Sequence, residues 1–326
     1  MLPYIDVLNQ LEHTRYHSGQ DLAKLFGVTR ATIHNCILRI TAMGIAVDRV
    51  RGKGYKLLAP LDLLDETIIK SHLTSSVKEK LSQLDILHEV DSTNRYIQDY
   101  SLPQIKHFSV VLAEMQRAGK GRRGREWVSP YAANIYMSVL WPLQKSLSEV
   151  GGLSSLLSIS LVKALRDMGV TDLGLKWPND IYCHNKKLAG LLIECSGEVN
   201  GASKMVIGVG VNVRMSQQAD VEIDQAWTDI ISHTSNGVIT RNEVVAQLLN
   251  HLYETLAEFD SAHVDNIDAQ WAKWDILMDK PVILQTLREN IHGVARGIDA
   301  HGYLLLETNN TIQRISAGDV SLRAEQ

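Results

Sequence analysis

One short segment limits what this chain can fold into more than any other: Gln116-Arg117-Ala118-Gly119-Lys120-Gly121-Arg122-Arg123-Gly124-Arg125-Glu126-Trp127. Five basic residues fall within nine positions, with three glycines and no acid between Arg117 and Arg125. Such a run has no apolar periodicity and reads as a loop. Its glycines reach positive φ without strain, so backbone N–H groups can converge on an anion. Arginine forks match phosphate oxygens bidentately. On residues alone, a solvated surface loop or an RNA-binding arginine-glycine segment fits as well as a phosphate cradle. The G-x-x-x-x-G-K-[ST] spacing is absent, so this is not a Walker loop.

The elements around the loop divide the chain into three parts. Leu22, Leu25 and Phe26 give an apolar helical face that Gly27 breaks, and Thr29 can cap a second helix whose inward positions are Ile33, Ile37 and Ile40. Beyond Gly44, the stretch Arg49-Val50-Arg51-Gly52-Lys53-Gly54-Tyr55 reads as a hairpin with a basic, glycine-rich tip. Helix-turn-helix plus hairpin is a winged helix, ending near Pro60. Residues 61–99 read as mostly helical around one short strand, Ile86 to His88. Strands follow at Val110 to Glu114, Ile135 to Trp141, Leu188 to Glu194 and Met205 to Val213. Amphipathic helices are expected over 150–168 and 241–260. From Pro281 short strands take over (Val282 to Leu287, His292 to Ile298, Leu304 to Glu307), with a turn at Asp299-Ala300-His301-Gly302. The reading is an α+β chain: a winged helix over 1–60, a mixed α/β domain over 61–276 and a small SH3-like β-barrel over 277–326.

Charge separates the first part from the rest. Residues 1–60 carry eight Lys/Arg against four Asp/Glu, a net +4. The whole chain is −4, so the remainder is −8. A polyanion partner is therefore expected for the first part only. The three cysteines, Cys36, Cys183 and Cys195, include no C-x-x-C pair, which argues against a disulfide framework and against a zinc site. That usage suits a reducing cytoplasm. No run is apolar enough to span a bilayer and the first residues do not read as a secretory signal.

Three further segments carry chemistry. Lys176-Trp177-Pro178-Asn179-Asp180, followed by Lys186-Lys187-Leu188-Ala189-Gly190, places lysines beside a tight turn, where they suit a phosphate or carboxylate. An ordinary hairpin with exposed lysines reads equally from these residues. Asp91-Ser92-Thr93-Asn94 is a helix cap or a cluster of donors and acceptors for a polar head group. Gly208-Val209-Gly210-Val211-Asn212 puts glycines in a strand, where a ligand or another backbone comes close. The scattered histidines form no catalytic arrangement with Ser, Cys or Asp, and no set of residues reads as a metal cage; any Mg²⁺ would arrive with nucleotide phosphates.

Taken together and in order, these segments resemble the biotin protein ligases, and among them the bifunctional bacterial type that also represses the biotin operon. The resemblance spans nearly the whole chain. It implies activation of biotin by ATP, with Mg²⁺ accompanying the nucleotide, to biotinyl-5′-AMP, and transfer of biotin to a lysine of a biotin carboxyl carrier protein. It also implies an adenylate-bound homodimer on operator DNA, and no membrane. By resemblance the biotin site comprises Ser92, Thr93, Asn94, Gln116, Lys120, Gly121, Arg122, Lys187 and Gly190. The nucleotide site comprises Arg122, Arg125, Asn179, Lys187, Asn212, Trp227 and Arg323. Lys187 and Arg122 are the expected catalytic groups. Arg30, Thr32, His34, Asn35 and Arg39 on the second helix, with Arg51 and Lys53 at the hairpin tip, are the expected DNA contacts. Two features depart from the pattern. Lys120 stands where these ligases usually carry arginine, keeping the charge but losing the fork. The second helix, presenting Thr32, His34, Asn35 and Cys36, is sparsely basic. A ligase without effective DNA binding, a metabolite-sensing repressor without ligase activity and a lipoate ligase are the rival readings.

Overall fold

The computed structural model describes residues 4–100, 108–143, 150–197, 203–215, 223, 225–234, 239–261, 266–286, 289–318 and 320–324. They form two compact units, the first built on residues 1–63 with 130–132, the second on the remainder.

The first unit contains α1 (Tyr4–Gln10), α2 (Gly19–Phe26), α3 (Arg30–Ala42) and the hairpin β1 (Val47–Val50) and β2 (Gly54–Leu57). The sequence reading did not include α1. Ser18 caps α2 by accepting from Gln20 and Asp21 N–H, and Gly27 ends it at φ 64°, a left-handed conformation that favours glycine. Thr29 caps α3 by accepting from Thr32 N–H. Ile33, Ile37 and Ile40 are inward as expected, but Leu25 is 62% exposed and Ala23 takes the buried place beside Leu22. Gly54 lies against the His17 carbonyl, where an added Cβ would sit 2.0 Å from that oxygen, so no larger residue fits the start of β2.

The second unit runs α4 (Glu66–His72), α5 (Ser75–Lys80), β3 (Leu81–Leu87), α6 (Thr93–Gln98), β4 (Phe108–Ala113), β5 (Ile135–Leu143), α7 (Leu153–Asp167), β6 (Leu173–Lys176), β7 (Asp180–Cys183), β8 (Lys186–Gly197), β9 (Ser203–Val211), α8 (Arg241–Ser261) and α9 (Ile267–Ala272). Its strands make one sheet in the order β3-β4-β5-β9-β8-β7-β6, with β3 and β4 parallel and every other pair antiparallel. The strand expected at Ile86 to His88 is the end of the longer β3. Alternation along β5 and β9 sorts the two faces. Ile135, Met137, Val139, Met205, Ile207 and Val209 join α7 and α8 in the main core. Leu140 and Val206 face the other way, against Ile97 of α6. A buried ion pair ties the start of α8 to the residue after β4: Arg241 Nη1 lies 2.6 Å from Glu114 Oε2, and Glu114 Oε1 accepts the Leu64 N–H.

The C-terminal strands β10 (Pro281–Gln285), β11 (Asn290–Ile298), β12 (Leu304–Thr308), β13 (Thr311–Ile315) and β14 (Ser321–Ala324) form one antiparallel sheet in the order β13-β12-β11-β10-β14. It does not close: β13 and β14 are its edges, so the expected barrel is an open, SH3-like sheet. The Asp299–Gly302 turn is held by the Asp299 carboxylate, which accepts from His301 and Tyr303 N–H. Leu287, the expected end of the first of these strands, lies outside the described residues. No helix among the described residues is long and apolar enough to cross a membrane.

Candidate functional site

The α6 face of the sheet is open where its strands carry small residues. Two cross-strand rows run over it, Ser138–Gly208–Leu192 and Tyr136–Gly210–Gly190–Asp180. An added Cβ would come within 2.5 Å of Asn94 Oδ1 at Gly208 and within 2.5 Å of the Trp127 ring at Gly210. The sequence glycines therefore do admit close neighbours, and those neighbours are Asn94 and Trp127. The space above them is a cleft of about 360 Å³, of the size that holds a small organic molecule.

One end of the cleft is polar and largely uncharged. Ser92 stands at the N-cap of α6, yet its side chain caps nothing; the capping reading of this segment is displaced by a side-chain network. Thr93 N–H and Oγ1 both donate to Gln116 Oε1, at 2.9 and 3.1 Å. Ser138 Oγ lies 2.7 Å from Thr93 Oγ1 and 2.6 Å from Asn94 Oδ1. Asn94 Nδ2 in turn donates to Glu194 at 2.7 Å. Ser92, Thr93, Asn94 and Ser138 are buried, so the network fixes their orientation before anything binds.

The other end is cationic. Lys187 Nζ lies 2.9 Å from Asp180 Oδ1 and 5.4 Å from the centre of the Trp127 ring. Its backbone is clamped on both sides, by Lys187 N–H to Ala226 O and Thr228 N–H to Lys187 O, each 2.9 Å. Lys176, at the end of β6, donates to the Tyr182 hydroxyl at 3.3 Å. Burial pulls its ammonium below the usual lysine range; Asp180 opposes that, and Lys187, Arg323 and Arg125 reinforce it. Burial and then Asp180 push the Tyr182 phenol up to about 12, against the pull of Arg125 and Arg323. Four cations thus converge on one end of the cleft with Asp180 as their nearby carboxylate, a potential that favours a polyanion.

The glycine-rich loop bridges the two ends. Gly119 is packed so closely by Trp127 O, Gln116 Nε2 and Ser129 Oγ that a Cβ would meet all three within 3.0 Å. Gly121 N–H donates to Arg125 O at 2.7 Å, and Trp127 N–H to Gly119 O at 2.9 Å, which folds the loop back on itself. Arg122 Nη2 donates to the carbonyls of Ala317 and Gly318, and Arg125 Nη2 to Ser321 Oγ at 3.2 Å. The loop is therefore tied to the C-terminal sheet.

Of the residues singled out by sequence, Ser92, Thr93, Asn94, Gln116, Lys120, Gly121, Arg122, Arg125, Asn179, Lys187, Gly190 and Arg323 all line the cleft. Asn179 is nearly buried and its amide is spent on the Leu191 carbonyl. Asn212 and Trp227 do not line the cleft. The Asn212 amide holds Thr228 O at 3.0 Å, and Trp227 pairs with Lys187 through the backbone, so both support the lysine from behind. Sequence reasoning missed Ser138, Tyr182 and Glu194, which no local motif marks, and gave no separate role to Trp127, Lys176 and Asp180, although all three stand in the quoted segments.

In the first unit, Arg30 and Asn35 are exposed on α3, Thr32 and His34 are half-buried, and Arg51 and Lys53 are exposed between β1 and β2. Thr32 is drawn into the cap, its hydroxyl 3.0 Å from that of Thr29. Arg39 stacks over the Tyr4 ring at 4.2 Å. Cys36 is a correction: it is buried, one turn from Ile33 and Ile40, and is not on the outward face.

A helix-turn-helix unit followed by a glycine-floored, cation-lined cleft and a small C-terminal sheet defines a protein of the biotin and lipoate ligase class. The family model described as the biotin/lipoate A/B protein ligase family matches residues 87–212, that of the biotin protein ligase C-terminal domain residues 278–323, and a helix-turn-helix domain model residues 5–56. The bifunctional ligase/repressor BirA of Salmonella typhimurium is 35% identical over 99% of this chain and 98% of its own. That of Escherichia coli is 35% identical over 97% and 96%. Among solved structures, the biotin protein ligase of Aquifex aeolicus in complex with biotin and ATP superposes with a TM-score of 0.62 at 27% identity, over 74% of this chain and 99% of that one. The chain belongs to the bifunctional biotin protein ligase/repressor family.

Proposed function

We propose that the protein joins biotin to a lysine of a biotin carboxyl carrier protein through biotinyl-5′-AMP, and that the adenylate-bound dimer represses the biotin genes. The observation that supports this most is the polarity of the cleft. A fixed set of neutral donors and acceptors at Thr93, Asn94, Gln116 and Ser138 suits a ureido ring. Lys187, Lys176, Arg125 and Arg323 at the other end suit a carboxylate meeting a triphosphate.

In the first half-reaction the biotin carboxylate oxygen attacks the α-phosphorus of ATP and pyrophosphate leaves. In the second, an acceptor lysine amine attacks the mixed anhydride, the C–O bond breaks and AMP leaves with its electron pair. Neither step needs a protein nucleophile. Catalysis comes from alignment and from positive charge placed where negative charge grows. Lys187 is the main charge stabiliser. Asp180, the Trp127 ring and the backbone clamps from Ala226 and Thr228 aim it. Mg²⁺ enters as the companion of the nucleotide. Arg122 and Arg125 hold the loop 117–125 against the C-terminal sheet, which encloses the intermediate and keeps water from it. The reducing cytoplasm, to which the chain's cysteine usage is suited, is the compartment of this reaction.

The DNA reading rests on residues 1–60, with their +4 charge, and on the exposed side chains of Arg30, Asn35, Arg51 and Lys53. A helix-turn-helix protein reads two half-sites as a symmetric pair, which calls for the adenylate-linked homodimer. Lipoate is the rival acid. Incubation with biotin and Mg-ATP, read by mass spectrometry, should yield biotinyl-adenylate and pyrophosphate without any acceptor. Activation of lipoate or octanoate in place of biotin would overturn the substrate assignment.

A further inference from the structure

Cys183, His184 and His233 come together at the β7–β8 turn, and none of them lines the cleft. One ligand atom from each, the Cys183 thiol and a ring nitrogen of each histidine, lies within 4.8 Å of the other two. Nothing in their chain spacing announces this. Cys183 ends β7, His184 opens the tight turn into β8, and His233 arrives from a short helical turn fifty residues on, held by the Asp229 carboxylate through Ser232 N–H. The histidine rings stack, 4.7 Å between centres at 29°.

Asp172 braces one of the three. Asp172 Oδ2 is 3.3 Å from His184 Nε2, and its carbonyl accepts the His184 N–H. We propose that Cys183, His184 and His233 supply three ligands of a tetrahedral site for a borderline-soft divalent ion, zinc in particular, with water in the fourth position and Asp172 orienting His184. Thiolate with imidazole is the donor set that selects such an ion over Mg²⁺ or Ca²⁺. A tetrahedral zinc centre places its sulfur and nitrogen donors roughly 3.3–3.6 Å apart. The cluster needs only a contraction of about an ångström, which the half-exposed His184 side chain can supply. Binding displaces one proton: Cys183 Sγ, now donating to Thr171 O at 3.3 Å, releases it to solvent as the metal–thiolate bond forms. His233 Nε2 lies 2.6 Å from Thr228 Oγ1, which leaves Nδ1 as its ring nitrogen for a metal.

The test uses the full, untagged chain titrated with Co²⁺, whose thiolate complexes carry a charge-transfer band in the near ultraviolet. One equivalent should bind with that band and be displaced by Zn²⁺. Cys183→Ser should abolish the band. His184→Gln and His233→Gln should each weaken binding by at least about tenfold, while Cys195→Ser, which alters the exposed cysteine elsewhere, should change nothing. If Cys183→Ser is poorly folded, as circular dichroism would reveal, the exposed His184→Gln still decides. Absence of saturable binding, a thiolate band that survives in well-folded Cys183→Ser, or wild-type affinity in His184→Gln would each overturn the proposal.

Discussion

Replacing Lys187 by alanine separates charge stabilisation from simple structural support. Lys187 and Asp180 form a 2.9 Å pair whose side chains are 13% and 23% exposed. Breaking a fully buried pair costs about 3–5 kcal/mol, and an exposed pair is worth about 1 kcal/mol or less. At this partial exposure the loss in folding stability should fall near 1–3 kcal/mol, read as a shift in the urea midpoint. The kinetic loss should be larger. Removing one preorganised charge donor typically raises the barrier by ~3–4 kcal/mol, or a factor of roughly 10²–10³ in the rate of adenylate formation. The two losses part company in the double variant Lys187→Ala/Asp180→Asn. Neutralising the orphaned carboxylate should restore part of the stability and none of the rate, since the Lys187 charge is still missing where the phosphate charge grows. Pyrophosphate release under single-turnover conditions measures the rate. A wild-type rate in Lys187→Ala, or a rate that recovers with stability in the double variant, would refute the reasoning.

Three other changes test other parts of the structure. Gly208→Ala drives a methyl group into the Asn94 amide, which Ser138 and Glu194 hold in place; overpacking of this kind costs about 1–3 kcal/mol and should appear as roughly tenfold or greater weakening of biotin binding by calorimetry, whereas unchanged affinity would remove Asn94 from the biotin site. Arg122→Ala frees the loop from Ala317 and Gly318; loss of a net hydrogen bond of about 1–1.5 kcal/mol should let biotinyl-adenylate escape roughly tenfold faster in a filter-retention assay. Arg51→Ala and Lys53→Ala, exposed at the hairpin tip, should weaken operator binding and each lower the slope of log affinity against log salt by about one if they meet phosphates; an unchanged slope would place the tip off the DNA.

The sequence by itself determined what local chemistry controls. Helix ends at Gly27 and Thr29 follow from single residues bonding or freeing their own backbone, and the isoleucine spacing of α3 sets its buried face without reference to the rest of the chain. The glycine-rich loop could only be a loop. The open face of the sheet was half visible, since Gly208 and Gly210 signalled a close approach without naming what approaches. Tertiary structure decided the rest, because it depends on contacts between residues far apart in the chain. Asp91 to Asn94 reads either as a cap or as a cluster of donors and acceptors, and the network of Thr93, Asn94, Gln116, Ser138 and Glu194 selects the second. Asn212 and Trp227 read as nucleotide contacts, and the fold adds bonds that local sequence does not show, from the Asn212 amide to Thr228 O and from Trp227 to Lys187 through the backbone. Leu25 and Cys36 exchanged their expected exposures because the packing partner of a helix, which local spacing does not name, fixes where its apolar stripe ends. The C-terminal strands were readable one by one, yet whether they close into a barrel depends on the pairing of β13 and β14, two edges that only the folded sheet brings into question. Cys183, His184 and His233 show the same limit from the other side: a donor set with no sequence spacing exists only once a hairpin and a distant turn pack together.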